Sequence, residues 1–129
     1  MRQIISTEKA PAAVGPYSQA VKANGLVFTA GQLGIDPATS KFVEGGVEAQ
    51  TRQALSNLQA ILETAGTSLA NTVKVTVFLH RMDDFAAMNG VYKTFFTEAP
   101  PARSAVAVRD LPLGGLVEIE AVAVLETEN

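Results

Sequence analysis

Apolar positions along the chain predict two helices. The first covers residues 47–65, where apolar side chains recur at the spacing of one helical face, and Gly66 supplies a left-handed stop. A second helix is predicted from the Asp83 or Asp84 cap to the Pro100-Pro101 pair, which ends that stretch. Its apolar face contains Phe85, Met88, Val91 or Tyr92, Phe95 and Phe96.

Other apolar runs favour strands. Residues 18–23 and 26–31 flank Asn24-Gly25, the pair typical of a type I′ hairpin turn. Residues 73–79, VKVTVFL, are β-branched and predict a buried strand. Strands are also expected at 103–109 and 116–125. Residues 34–46 contain Pro and Gly and predict a loop that can hold a short strand at 41–43.

The order of these elements is hairpin, helix, strand, helix, strand, strand, which indicates an α+β fold in one domain over residues 1–129. Right-handed crossovers place both helices on one face of a mixed sheet. The strands are nevertheless apolar at nearly every position, so the other sheet face needs a partner. Self-association is the simplest way to cover it.

Composition narrows the function classes. The chain has 129 residues, a net charge of −3, a pI near 5.1 and scattered basic residues, which argues against nucleic-acid binding. It has no cysteine, so thiolate catalysis, thiolate metal sites and disulfides are excluded. With no signal-peptide pattern and no apolar run of membrane-spanning length, we expect a soluble cytoplasmic protein.

One arginine and two glutamates in the last two predicted strands are the main candidates for chemistry. Alternation places Arg103, Ala105 and Ala107 on one face, where small alanines leave room over the guanidinium. Glu118 and Glu120 share a face of the last strand. If the two strands are antiparallel neighbours, Arg103 and a glutamate can face one cavity. Arginine would bind a substrate carboxylate through its planar fork, and glutamate would activate water.

Structural explanations remain open for each candidate. Arg103 with Glu118 or Glu120 also fits a cross-strand salt bridge. Tyr17 fits a turn on the surface, Asn89 an exposed helix position, and the single histidine, His80, a solvated strand end. One histidine makes no metal cluster. The glycine pairs at 45–46 and 114–115 are typical of turns and form no phosphate-binding loop.

The sequence resembles the YjgF/YER057c/UK114 family, whose best characterised branch is RidA, the reactive enamine/imine deaminase. The similar segments are PARSAV at 101–106, LP at 111–112 and VEIE at 117–120. They are joined by APAAVGPYSQA at 10–20, FTAGQ at 28–32 and NGVYKTFF at 89–96. The resemblance covers almost the whole chain.

The resemblance implies a chorismate-mutase-like α+β subunit in a homotrimer, with sheets facing inward and sites between subunits. RidA-type members hydrolyse 2-aminoacrylate, 2-aminocrotonate and 2-iminobutanoate to 2-oxo acids and ammonia, which protects pyridoxal-phosphate enzymes. No cofactor or metal is required. A non-catalytic sensor of 2-oxo acids, an endoribonuclease or translation inhibitor, and a chaperone-like trimer are the alternatives.

By position, the resemblance gives Arg103 the role of binding the substrate carboxylate and Glu118 that of activating water. Tyr17 would line the cleft with its hydroxyl, Asn89 would lie beside the site, and Gly31 would let the backbone approach the ligand. Glu120 matches a second acid of the motif without an assigned role. Ala105 is expected among the substrate-binding residues, at a position where many RidA-type members carry a cysteine. Ala30 stands where many carry a serine.

Overall fold

Nine strands and two helices form in residues 1–126, the part of the chain that the computed structural model describes. The helices are α1 (Gly46–Ala65) and α2 (Phe85–Phe95). The strands are β1 (Gln3–Ile5), β2 (Ala20–Ala23), β3 (Leu26–Thr29), β4 (Gln32–Leu33), β5 (Ile35–Asp36), β6 (Lys41–Phe42), β7 (Thr72–Leu79), β8 (Ala102–Ala107) and β9 (Val117–Val124).

The main sheet is mixed, with strand order β1-β2-β3-β9-β7-β8, and β4 pairs with β9 beyond the end of β3. Only β7 and β8 pair in parallel, because α2 carries the chain back between them. The remaining pairs of this sheet are antiparallel. The two longest strands, β7 and β9, are therefore adjacent at its centre.

Both helices pack on one face of the sheet, as the sequence predicts. The core between them holds the largest fully buried side chains of α1, α2 and the central strands, which include Leu55, Leu58, Ile61, Leu62, Met88, Val75, Val77, Val117 and Ile119. Burial alternates along β9, from buried Val117 to half-buried Glu118 and again to buried Ile119. Helix cover on one side produces this period of two.

The opposite sheet face is open in the single chain. Its apolar side chains include Phe28, exposed to 43%, and Val106, exposed to 45%. Ile4 and Val124 are also exposed large apolar residues of the main sheet. The prediction of an uncovered apolar face is therefore confirmed for residues 1–126. No helix in these residues is long and apolar enough to cross a membrane.

Several predicted boundaries need correction. The expected strand over 26–31 stops at Thr29 and resumes as β4, with Ala30 and Gly31 between the two pieces. The expected loop at 34–46 contains the β5–β6 hairpin, and β1 was not predicted. Asp84 occupies the N-cap of α2 without a side-chain capping bond, and Asp83 instead pairs with Arg81 at 2.6 Å.

Candidate functional site

An open cleft of about 650 Å³ lies at the end of the sheet where β3 passes into β4. Three of the predicted site residues, Tyr17, Gly31 and Glu118, line it together. Most of the other lining residues are apolar: Pro11, Ala12, Val14, Ala30, Leu33, Ile35, Pro112 and Leu113, with Gln32 and Ser40 as further polar members. The cleft is therefore an apolar pocket with one carboxylate in its wall.

Glu118 is the ionisable group of this cleft. Its side chain projects from β9 to the open face of the sheet and is half-buried. Burial raises the pKa of the Glu118 carboxyl above its ordinary value, and the like charge of Glu120 raises it further. Within residues 1–126, no cation pairs with Glu118. A carboxylate held in this way is a stronger base than an exposed one.

Gly31 leaves the space that the Glu118 carboxyl group occupies. A Cβ atom added at Gly31 would lie 2.8 Å from both Cδ and Oε2 of Glu118, closer than real Cβ contacts allow. The sequence predicts that Gly31 permits close approach of backbone to ligand. The contact seen in the single chain is with the catalytic candidate itself, so Gly31 sets where the carboxylate lies.

The loop that carries Tyr17 forms another wall of the cleft. The buried Gln19 side chain anchors this loop: its Oε1 accepts the Thr7 N–H at 2.7 Å, and its Nε2 donates to the carbonyls of Thr7 and Pro11 at 3.0 and 2.8 Å. The Tyr17 hydroxyl accepts a hydrogen bond from the Val14 N–H at 3.4 Å. Tyr17 is 53% exposed, so its hydroxyl can reach a ligand.

Arg103 and Asn89 lie together in a second depression, of about 520 Å³. Arg103 Nη1 donates to Asn89 Oδ1 at 2.6 Å. The guanidinium carbon lies 4.7 Å from the ring centre of Tyr92 and 5.4 Å from that of Phe85. The two rings flank the guanidinium, which still lines the depression. Uncharged partners orient the cation without neutralising it.

Tyr92 and Phe85 are contacts that the sequence reasoning missed. Phe85, Asn89 and Tyr92 follow one another at intervals of four and three residues, so they share one face of α2. That spacing was a usable signal. Burial raises the pKa of the Tyr92 hydroxyl, while the positive charge of Arg103 acts in the opposite direction.

The prediction that Arg103 and a glutamate face one cavity through neighbouring strands is wrong for the single chain. Strand β7 lies between β8 and β9. Arg103 is level with Val75, which points to the helices, whereas Glu118 is opposite Phe78, which points to the open face. The cross-strand salt bridge is also absent: Arg103 pairs with no carboxylate of residues 1–126.

The remaining candidates divide between the two sites. Ala30 lines the cleft, whereas Ala105 packs against the core and lines neither depression. Glu120 lies on the same sheet face as Glu118. His80 is exposed and lines neither cavity. No group of three or more metal-binding side chains forms in the described part of the chain.

Comparison with known proteins identifies the family to which the chain belongs. The family model described as Endoribonuclease L-PSP matches residues 7–125. The chain belongs to this family, the YjgF family. A RutC family protein of Pyrococcus horikoshii is 54% identical to this YjgF-family chain over 126 residues, 98% of the chain and all of the relative.

Two further relatives carry names that concern small molecules. The 2-iminobutanoate/2-iminopropanoate deaminase of Capra hircus is 53% identical over 124 residues, 96% of this chain and 90% of the relative. The crystal structure of E. coli TdcF with bound serine is 43% identical, covers 96% of this chain and 99% of TdcF, and superposes with a TM-score of 0.92. The fold of this YjgF-family chain is thus that of solved relatives.

Proposed function

We propose that this protein hydrolyses reactive enamine and imine derivatives of amino acids, such as 2-aminoacrylate and 2-iminobutanoate, to 2-oxo acids and ammonia. The observation that carries the proposal is Glu118, an unpaired, half-buried carboxyl group with a raised pKa in a cleft of small-molecule size. The deaminase name of relatives about 50% identical supports it.

Arg103 is proposed to bind the substrate carboxylate, in a site assembled from two copies of the chain. Within one chain Arg103 and Glu118 lie on opposite sheet faces, so they cannot act on one small molecule. Because β8 is an edge strand, a second copy packed against the open face can still bring its Arg103 to the Glu118 cleft. The proposed assembly is a homotrimer whose sheets face inward. The protein is proposed to act in the cytoplasm and to need no cofactor.

The reaction needs one orienting cation and one acid–base group. The enamine first tautomerises to the imine, whose carboxylate pairs with Arg103 in a geometry aided by Asn89. Glu118 accepts a proton from water as the water oxygen bonds to C2. The imine reacts in its N-protonated form, so the attack gives a neutral carbinolamine. Glu118 then passes its proton to the amino nitrogen and takes the hydroxyl proton as the C2–N bond breaks, which releases ammonia and leaves the 2-oxo acid. Tyr17 supplies a second hydrogen-bonding group in the cleft, which Gly31 also lines.

A coupled assay tests the proposal. A pyridoxal-phosphate dehydratase releases 2-aminoacrylate from serine and 2-aminocrotonate from threonine, and semicarbazide traps the imine that survives. We expect the wild-type protein to lower the trapped product. Arg103→Ala should abolish this effect, and Arg103→Lys should restore little of it because an ammonium lacks the fork. Arg52→Ala, at an exposed position of α1, is the matched control and should stay active.

Two outcomes would count against this function. Full activity of an assembled Arg103→Ala variant would exclude the proposed carboxylate site. An inactive wild type that binds 2-oxo acids would favour the sensor alternative. Since the family model is named for an endoribonuclease, a titration with labelled RNA over a range of salt belongs beside the assay. The acidic pI leads us to expect no salt-dependent binding.

A further inference from the structure

The turn before β9 places a leucine in a conformation that suits other residues. Leu113 has φ 59° and ψ 16°, and Gly114 has φ 80°. The Gly115 N–H donates to the Pro112 carbonyl at 3.1 Å and closes the turn. Positive φ at both central residues is the type I′ arrangement, which favours Asn or Gly at the first of them.

The same chain contains a turn with the favoured residues. Asn24 and Gly25, at φ 51° and 76°, join β2 to β3 across the Ala23–Leu26 pair. Asparagine tolerates the left-handed conformation better than leucine does, because its side chain can bond locally. Leu113 therefore costs conformational energy that Asn would reduce.

Packing within the chain does not compensate for that cost. Leu113 is 80% exposed, so its side chain gains little from burial among residues 1–126. Backbone strain that no contact within the chain offsets is typical of a functional position. Leu113 lines the Glu118 cleft, and so does Val14, which is 85% exposed.

The cleft offers more apolar surface than a three-carbon acid can use. The volume of about 650 Å³ in the single chain includes the space that a second copy would enter, so the apolar wall, rather than the volume, bears on the choice of substrate. Leu33, which is paired with Glu118 across β4 and β9, and Ile35 in β5 continue the apolar wall to the β5–β6 hairpin. A substrate with a longer aliphatic side chain would bury these surfaces.

We propose that Leu113 is a specificity-determining residue that contacts the side chain of the substrate and favours 2-imino acids with long aliphatic groups. The inference rests on the proposed function. It assigns the substrate side chain to the apolar wall, and it leaves the carboxylate and the reacting carbon to the groups already described.

Two substrates and two matched turn variants test this assignment. An amino-acid oxidase supplies the imine of leucine, and the dehydratase supplies 2-aminoacrylate. Leu113→Asn should lower kcat/KM for the leucine imine by roughly tenfold and change that for 2-aminoacrylate less than about twofold. Leu113→Met should restore the preference. Asn24→Leu places leucine in the other turn and should leave the preference unchanged.

Stability and assembly provide the second readout. Leu113→Asn should raise the midpoint of thermal unfolding by roughly 2 to 6 °C, and Asn24→Leu should lower it. An equal loss of activity on both imines, or a smaller assembly of Leu113→Asn in size-exclusion chromatography, would overturn the specificity role.

Failure of the proposed function would be distinguishable. If the wild type hydrolyses neither imine, calorimetric titration with 4-methyl-2-oxopentanoate and with pyruvate still tests Leu113. Weaker binding of only the longer acid by Leu113→Asn would support the apolar contact. Equal affinities of the wild type and the variant for both acids would overturn it.

Discussion

At the scale of single residues, the missing side chain of Gly31 leaves room for the side chain of Glu118. The Glu118 carboxyl group occupies the volume that a Cβ at Gly31 would need. Gly31 is not among the glycines with positive φ, so alanine is compatible with its backbone. Glycine is therefore needed at position 31 to accommodate the Glu118 carboxylate, and not to allow an unusual backbone conformation.

Gly31→Ala should reduce imine hydrolysis by roughly a hundredfold while the protein still folds and assembles, because it displaces the Glu118 carboxyl group. Kinetics in the coupled assay and circular dichroism measure the two effects. Gly90→Ala is the control, since a Cβ there meets nothing within 4 Å, and it should keep full activity. Normal turnover by Gly31→Ala would show that the position of this carboxylate does not matter.

The pH dependence of kcat/KM should report the Glu118–Glu120 pair. Glu118 must be ionised to accept a proton, so its raised pKa moves the acid limb above the ordinary carboxyl range. Glu120→Gln removes the smaller of the two causes, and the limb should move to lower pH without reaching the ordinary value. A limb that stays in place would mean that Glu120 does not tune the base.

At the scale of elements, α1 positions one wall of the cleft through a buried amide. Asn57 is 1% exposed, and its Nδ2 donates to the carbonyls of Leu33 and Ile35 at 3.2 and 2.9 Å. These two residues line the cleft. The short β4–β5 connection is thus held by hydrogen bonds to α1 as well as by its pairing in the sheet.

Asn57→Leu should lower the free energy of unfolding by about 2–4 kcal/mol, because it leaves two carbonyls without their donor. Chemical denaturation measures this change. Ser56→Ala, at the exposed neighbouring position of α1, should change the free energy by less than about 0.5 kcal/mol. Similar decreases in the free energy of unfolding for both variants would mean that the two Asn57 hydrogen bonds contribute little to stability.

The elements that the sequence predicted best are those whose pattern is long. The β-branched run of β7 and the apolar face of α1 each specify their structure locally. The three residues of β1 are too few for a period, and the close approach of Gly31 to Glu118 joins residues far apart in the chain.

Strand neighbours are set by the whole chain, which explains the error on Arg103. A strand, a helix and a strand in succession favour a parallel pair, so the order of β7, α2 and β8 already indicated that β8 pairs with β7. The place of β9 on the other side of β7 did not follow from its own pattern. The resemblance supplied the candidate site residues, and the sheet faces on which Arg103 and Glu118 lie relative to each other depended on the strand order.

At the scale of the whole molecule, helices on one side leave an apolar sheet face that continues from β1 to β8. Association through this face would remove side chains such as Phe28 and Val106 from water. It is also the face from which Glu118 projects. Assembly and activity are therefore expected to be lost together when this face is made polar.

The separation of Arg103 and Glu118 on two sheet faces makes the protein a candidate for complementation between inactive mutants. Arg103→Ala and Glu118→Ala, each inactive alone, should regain activity when they are unfolded together and reassembled. In the proposed homotrimer, with sites between subunits, random mixing of the two variants would give both native residues to about a quarter of the sites. Recovered activity in the mixed sample, beside none in each variant treated alone, would mean that neighbouring chains exchange parts of one catalytic unit. If a mixed sample that assembles normally shows no recovery, then Arg103 and Glu118 of neighbouring chains do not contribute to one catalytic site.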